Sequence, residues 1–454
     1  MQLELQDFLL QRPDLRFIDL LLHDLHGVSR GKRIDVAAAA DTFTRGLLLP
    51  GSMFGMDVQG GTVQATGLGF DEGDADRPCL PLPGTLVDVP WQDHGVAQAQ
   101  ITMHEHDGRP FFADPRHLLT QVLAGFTRLG LTPVIAVELE FYLVDRERDA
   151  LGLPQPPRGP LTGRREFRTQ INSMTDLDEY SAVLADIDMA CRAQRVPATS
   201  ALAEYGPGQF EVNLAHSADA LGACDEAMRF KRIVKSVARR HGMDATFLAK
   251  PYRDMAGSGL HLHVSVLDAA GQNIFADERS HGSEALLHAI AGTLGTMADG
   301  MAIFAPTANA WRRFRPEAYV PLTAAWSINN RGTALRIPVS DTANRRLEHR
   351  VAGADANPYL VTAWVLAGML EGLEAGQLPP PPVEGNAYHG QSTDAPALPR
   401  HWPLALERFA TSDFAARTFG PAFRQLFTTV KEAELDAFSS HVTRLECDLY
   451  LSAL

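Results

Sequence analysis

Four segments of this chain alternate polar and apolar residues with a period of two, and together they constrain what it can fold into. They are Val137-Glu138-Leu139-Glu140-Phe141, Gln209-Phe210-Glu211-Val212-Asn213-Leu214, Leu260-His261-Leu262-His263-Val264-Ser265 and Arg346-Leu347-Glu348-His349-Arg350. Each puts one face of a strand into packing and the other toward something polar. A single strand of this kind could simply turn its polar side to water. Four of them, flanked by helical segments long enough to cover a sheet, predict one shared polar face. Glu138, Glu140, Glu204, Glu211 and Glu348 facing one another would repel prohibitively unless cations lie between them. Carboxylate oxygens with one or two imidazoles suit Mg²⁺ or Mn²⁺ better than zinc or copper.

Residues 327–350 add Arg331, Arg336, Arg345, Arg346 and Arg350 to a chain whose net charge is −14. Guanidinium forks match carboxylate and phosphate oxygens two at a time, so this concentration calls for a small anionic ligand. Alternation sets Arg346, Glu348 and Arg350 on one face and leaves Arg345 on the other, as a structural residue. Carboxylates for metals beside arginines for anions are the apparatus of phosphoryl transfer. Neither a Walker loop nor a G-x-G-x-x-G segment is present to hold the nucleotide.

The acidic balance argues against nucleic-acid and anionic-membrane partners, because no broad phosphate-neutralising surface is available. Cys79, Cys191, Cys224 and Cys447 show no C-x-x-C spacing and read as reduced thiols. The first residues carry acids where a signal peptide needs a basic start, and the apolar run at 359–370 is too short for a membrane span. The expectation is a soluble, cytoplasmic protein.

At 454 residues two domains are expected. A helix over 3–11, strands at 17–23 and 29–36, an alanine-rich helix over 36–44 capped by Asp35, and strands at 85–89 and 96–103 make a small α+β unit. The turn-rich residues 107–110 place its boundary, giving domains of 1–107 and 108–454. In the larger unit, Asp114 and Pro115 open a helix that Gly130 stops. A strand over 134–144 follows, then helices over 177–195, 217–240, 286–304 and 358–373. Helical sequence resumes at 404, and 378–382 is a stiff proline loop.

Several motifs also occur in the order of a known family: the ELEF strand, FLAKP at 247–251, GSGLHLHVS at 257–265, NNRGTALRIP at 329–338, RRLEHR at 345–350 and ANPYL at 356–360. Over essentially its whole length the chain resembles the glutamine synthetase superfamily, bacterial type. The resemblance implies a small N-terminal β-grasp domain and a large catalytic domain with an antiparallel sheet flanked by helices. It also implies a homo-oligomer, a dodecamer of two hexameric rings whose sites are completed by the neighbour's N-terminal domain. By position, Glu140, Glu204 and Glu211 match the ligands of one metal, and Glu138, His261 and Glu348 those of the other. His263, Ser265, Arg336 and Arg346 match the ATP contacts. Arg313, Arg350 and the backbone at Gly257 match the glutamate contacts, and Arg331 the group that stabilises the transferring phosphoryl. The implied chemistry is phosphorylation of the glutamate side chain, followed by attack of an amine on the acyl phosphate.

Departures from the family pattern bear on the amine. Ammonia-using members carry Asp-Gly-Ser-Ser where this chain has Pro50-Gly51-Ser52-Met53, and a flap Glu where it has Tyr319, unless Glu317 shifts register to replace it. Ala256 replaces the usual Asn beside glutamate, and Asp74 resembles the second N-domain acid. Met53, Phe54, Met56 and Tyr319 then suggest a pocket for the carbon chain of an alkylamine, with putrescine as the nucleophile of choice, as in γ-glutamylpolyamine synthetases. Asp74 and Glu204 are candidate proton acceptors, and Asp57, Asp71 or Glu72 could meet a diamine's far ammonium. The alternatives are a glutamine synthetase using ammonia and a non-catalytic relative. Tyr388, near the family's adenylylation region, reads as an ordinary surface tyrosine.

Overall fold

The structure is a computed structural model and describes residues 2–168, 170–388 and 396–454. It adopts the expected α+β architecture, with a sheet near the N-terminus and a larger one after it. The first contains β1 (Phe17–His23), β2 (Ser29–Asp35), β3 (Leu47–Pro50), β4 (Asp76–Pro81), β5 (Val87–Asp88) and β6 (Val96–Met103). Its order is β2-β1-β6-β4-β3, with β5 on β6. β1 and β2 form an antiparallel hairpin, and β1 runs parallel to β6. The hairpin turn is held by Asp24, whose Oδ1 accepts from the His26 and Val28 amides, both at 2.9 Å. Every residue of β6 is buried, so this strand forms the floor of the unit. The predicted helix over 36–44 begins as a single 3₁₀ turn capped by Asp35 and becomes α-helical over Ala39–Arg45.

The second sheet contains β7 (Thr132–Asp145), β8 (Ala198–Ala203), β9 (Gln209–Leu214), β10 (Met243–Thr246), β11 (Leu260–Leu267), β12 (Trp326–Ile328), β13 (Leu335–Ile337) and β14 (Leu347–His349). The order is β12-β13-β14-β11-β7-β9-β8, with β10 beside β7. β7, the long central strand, starts with the in–out burial alternation its sequence predicts and becomes wholly buried toward its end. The helix Pro115–Arg128 starts as expected, with Asp114 accepting from the Arg116 amide and Pro115 leading. Pro358–Ala375 is apolar on all sides and buried along most of its length. Helix Glu284–Met297 crosses it closely: a Cβ at Gly292 would lie 2.2 Å from the Gly368 carbonyl oxygen.

Two expected helices are interrupted. The segment over 177–195 is two helices, Met174–Glu179 and Ser181–Ala193, parted at Tyr180, whose ring packs edge-on against Phe210. The segment over 286–304 breaks at Asp299-Gly300, where Trp364 leaves no room for a Cβ: one at Gly300 would lie 2.4 Å from its ring nitrogen. Among the described residues no helix is long and apolar enough to cross a membrane.

Candidate active site

The register of the second sheet gathers the polar residues into rows. Arg336 on β13 lies opposite Glu348 on β14, which lies opposite His263 on β11. His261 lies opposite Glu138 on β7, which lies opposite Asn213 on β9. Glu140 lies opposite Glu211. Neighbouring strands stand about 4.8 Å apart, so each row brings its side chains within reach of a common ligand. They open into a cleft of about 580 Å³. It is lined by Glu138, Glu140, Glu204, Glu211, His261, His263 and Glu348, together with Gly257, Arg313, Tyr319, Arg331, Arg336, Arg346 and Arg350.

One end of the cleft is acidic. Glu140, Glu204 and Glu211 each bring a carboxylate oxygen within 4.8 Å of the others'. Burial, then Glu140, lifts the Glu204 carboxyl to about 7. Burial, then Glu138, Glu140 and Glu204, lifts Glu211 to about 9. Such a trio is unfavourable by itself and fits a hard divalent cation. Glu140 is aimed by the Gly259 amide, which donates to its Oε2 at 2.8 Å, and Asn213 donates to Glu211 Oε1 at 3.1 Å.

Beside it lies a mixed group. Glu138 and His263 form a close set with Glu348, and Glu138 forms another with His261 and Glu211. His261 Nδ1 is 3.2 Å from one Glu138 oxygen and His263 Nε2 is 2.8 Å from the other. Burial opposes the Glu138 charge, but the two imidazoles outweigh it and hold the carboxyl far below its usual range. Arg346 Nε donates to His263 Nδ1 at 3.2 Å, which places the imidazole proton on Nε2, toward Glu138. His263 therefore touches the candidate metal ligands as well as facing the region assigned to nucleotide.

The cationic wall is ordered differently from the alternation pattern. Glu348 does sit between two arginines, but they are Arg350 and Arg336, the second from the adjacent strand at 2.8 Å. Arg346 turns to His263 instead. Against the cost of burial, Arg350 chiefly holds Glu348 down to about 2. Arg345 faces away and binds the carbonyl oxygens of Ser280, Arg279 and Asp277, as a structural residue should. Arg313 is 4% exposed, donates to the Val351 carbonyl at 3.1 Å, and leaves its Nε unpartnered.

Two predicted site residues stand apart from the cleft lining. Ser265 continues the polar face of β11 but pairs with Val134 beyond the cleft. Asp74 lies in the N-terminal unit in a left-handed turn, φ +52°, with its amide on the Gly69 carbonyl. The N-terminal residues offered for the amine also lie outside this chain's cleft. Phe54 is 1% exposed and packs on Phe111, and Met53 is also in the core, so neither lines this chain's cleft. Met56 likewise packs against the core. Of the acids offered for a far ammonium, Glu72 binds Arg77 at 2.7 Å, Asp57 accepts from the amides of its own loop, and Asp71 is exposed in a 3₁₀ turn.

Tyr319 lines the cleft, stacked on Tyr205 with centroids 6.2 Å apart, whereas Glu317 borders an adjoining hollow with Tyr388. Tyr388 donates to the Val320 carbonyl at 3.1 Å and braces that flap. Sequence reasoning assigned no role to Tyr205, Gly259, Asn213 or Gln209. Gln209 donates to the Gly257 carbonyl at 3.0 Å and fixes the backbone beside Arg313. The polar face of β9 contained the signal for Asn213. Gly259 is signalled only by space, since a Cβ there would meet His261 Nε2 at 2.9 Å.

A sheet that sets an all-carboxylate group and a carboxylate–imidazole group against an arginine wall has the make-up of an enzyme site for an anionic substrate. Residues 112–450 match the model of the glutamine synthetase catalytic domain. The chain belongs to the glutamine synthetase family, and its activity is that of a carbon–nitrogen ligase of the glutamine synthetase/amine-ligase type. It is 42% identical to the γ-glutamylputrescine synthetase PuuA of Escherichia coli, over 99% of this chain and 94% of that protein. It is 30% identical to a glutamate–isopropylamine ligase of a Pseudomonas species, over 100% and 98%. Among solved structures, GmaS in complex with ADP superposes with a TM-score of 0.84 at 28% identity, over 99% of both chains.

Proposed function

We propose that this protein is an ATP-dependent glutamate–amine ligase that joins the side-chain carboxyl of glutamate to an alkylamine, with putrescine as the preferred nucleophile. The observation that carries this reading is Tyr319 on the cleft wall, stacked on Tyr205 beside Glu204, where ammonia-using relatives would carry a flap carboxylate. Two phenol rings offer an aliphatic chain a wall and an ammonium a π-face. The relationship to PuuA over nearly the full length supports the same choice.

In this reading Arg313, Arg350 and the Gly257 backbone hold glutamate, while His263, Arg336 and Arg346 hold ATP. Glu140, Glu204 and Glu211 would hold one Mg²⁺ or Mn²⁺, and Glu138, His261 and Glu348 the other. When bound, these ions neutralise phosphate charge. A glutamate carboxylate oxygen attacks the terminal phosphorus and ADP leaves, with Arg331 against the transferring group. The amine nitrogen then attacks the acyl carbon, phosphate leaves, and the nitrogen's proton passes to a carboxylate. Glu204 is the acceptor from this chain, and Asp74 would serve from a neighbouring copy, in a dodecamer whose 1–107 domain completes the next catalytic domain. The protein works in the cytoplasm.

The test is phosphate release from ATP with glutamate, Mg²⁺ and a panel of ammonia, methylamine, ethanolamine, isopropylamine and putrescine. Putrescine should give the highest kcat/KM. Equal turnover with ammonia would replace this reading with a glutamine synthetase, and none with any amine would favour a non-catalytic relative.

A further inference from the structure

A second cleft, which shares no lining residue with the catalytic one, lies between the N-terminal sheet and helix Ala220–Arg240. Its volume is about 560 Å³. The N-terminal side supplies Gly27, Val28, Ser29, Trp91 and Gln92. The helix supplies Met228, Lys231, Arg232, Lys235, Ser236, Arg239 and Arg240, the stripe of one helical face. Five of these residues are cationic and no Asp or Glu lines the cleft. That is an unusual balance in a chain of net charge −14.

The helix pays for this face. Lys231, Lys235 and Arg239 follow at i, i+4 spacing, where like charges repel. The arginines recover part of that at the rim: Arg232 reaches Asp19 at 2.9 Å, Arg239 reaches Asp244 at 3.4 Å, and Arg240 reaches Asp93 at 3.2 Å. Among the described residues the two lysines pair with no carboxylate: Lys231 Nζ donates to the Ala354 and Ala356 carbonyls, and both ammonium groups lie over the Phe247 ring, at 5.5 and 5.9 Å. Burial, then Lys235, lowers Lys231 to about 7 against the opposing pull of Asp355.

We infer that this cleft is a binding site for a compact polyanion of the phosphate or polycarboxylate class, held between Lys235, Arg239 and the Trp91–Gln92 edge of the N-terminal sheet. A ligand there would brace the N-terminal unit against the helix. It would also lie beside Lys231, whose Nζ donates to the carbonyls of Ala354 and Ala356, downstream of the strand that carries Glu348. Nothing in this inference depends on which amine the catalytic cleft uses.

The test is calorimetric titration of the full chain with pyrophosphate and, separately, citrate. Arg346→Ala removes a phosphate contact of the catalytic cleft, and Lys235→Glu/Arg239→Glu reverses the charge of the second. The inference expects a binding event that survives Arg346→Ala and is at least about tenfold weaker in the double variant, since the double variant turns two attractive charges into two repulsive ones. Lys235→Arg should retain it, and turnover without added anion should be unchanged in the double variant. Binding of pyrophosphate alone assigns a phosphate ligand, and of citrate alone a polycarboxylate. Unchanged affinity in the double variant, or loss of all binding in Arg346→Ala, would overturn the inference.

Discussion

Arg336 and Glu348 stand directly opposite each other on β13 and β14, with Arg336 Nη1 donating to Glu348 Oε2 at 2.8 Å while Arg350 occupies the other oxygen. The carboxylate is 1% exposed, and against the cost of burial its charge is held by Arg350, His261, His263 and Arg336. Glu348→Gln keeps the shape and removes the charge. It leaves two buried cations facing each other, which should cost about 3–5 kcal/mol. Urea unfolding should show that loss, and Mn²⁺ titration should show weaker binding. Unchanged stability would mean that water already screens the arginines.

The trio Glu140, Glu204 and Glu211 makes a pH prediction for the metal-free protein. Folded-state values near 7 for Glu204 and 9 for Glu211 lie above the ordinary 4.5, so the folded chain binds more protons than the unfolded one between 4.5 and 9. Stability should therefore fall as pH rises through that window, by an amount on the order of a few kcal/mol. Divalent cation must displace those protons, so its stabilising effect should grow over the same range. Melting curves in chelator and in Mg²⁺ from pH 5.5 to 9 read both slopes. Glu211→Gln should flatten the chelator curve, and parallel curves would remove the trio as a cation site.

Much of this cleft is legible in the sequence because a period of two puts side chains on one face without reference to anything distant. That argument reaches Glu138, Glu140, Glu211, His261 and Glu348. It also puts Arg346 on the cleft face, but it cannot show that Arg346 turns to His263 while Glu348 takes its second arginine from β13, because pairing between strands is a tertiary fact. The short strands at 47–50, 76–81, 198–203 and 243–246 escape for a related reason: four to six residues, three of them prolines across the first two strands, show little period before they end. Phe54 is misplaced because an apolar residue near a functional motif reads equally as pocket or core, and only its packing on Phe111 decides.

Glu434 joins the C-terminal helix Pro421–Ser439 to the N-terminal unit, with His26 Nε2 at 2.6 Å, the Val58 amide at 2.7 Å and Lys431 at 2.9 Å. Burial opposes its charge, but Lys431 and His26 hold it down to about 2. A depressed carboxyl contributes stability above its unfolded value of about 4.5 and loses it as pH falls through 2. Glu434→Gln should lower the melting temperature at pH 7, and the difference from wild type should shrink below pH 4. A difference independent of pH would assign the effect to packing.

Gly259 supplies an amide to Glu140 and a gap beside His261, where a Cβ would stand 2.9 Å from Nε2 and 3.4 Å from Glu140 Oε1. Gly259→Ala must push the imidazole or the carboxylate aside. Metal affinity should fall about 10–100-fold, the range typical of disturbed supporting contacts, with little change in melting temperature for the metal-free protein. Isothermal titration with Mn²⁺ measures the first and a thermal scan in chelator the second. Retained affinity would place His261 outside the metal shell.

Tyr319 is the position at which the choice of amine is most exposed to test. It is 55% exposed, holds a left-handed backbone, φ +53°, and stacks on Tyr205 at 6.2 Å, so a substitution there should spare the core. A carboxylate at this position would bind a compact ammonium and take its proton, but it would withdraw the aromatic wall from an alkyl chain. Tyr319→Glu should therefore raise kcat/KM for ammonia and lower it for putrescine. A change of about tenfold in their ratio corresponds to about 1.4 kcal/mol, within the reach of one aromatic–cation contact. Tyr205→Ala should lower putrescine use without helping ammonia, because it removes the stacking partner and adds no acid. If both variants leave the ratio of the two amines unchanged, the aromatic pair does not select the nucleophile.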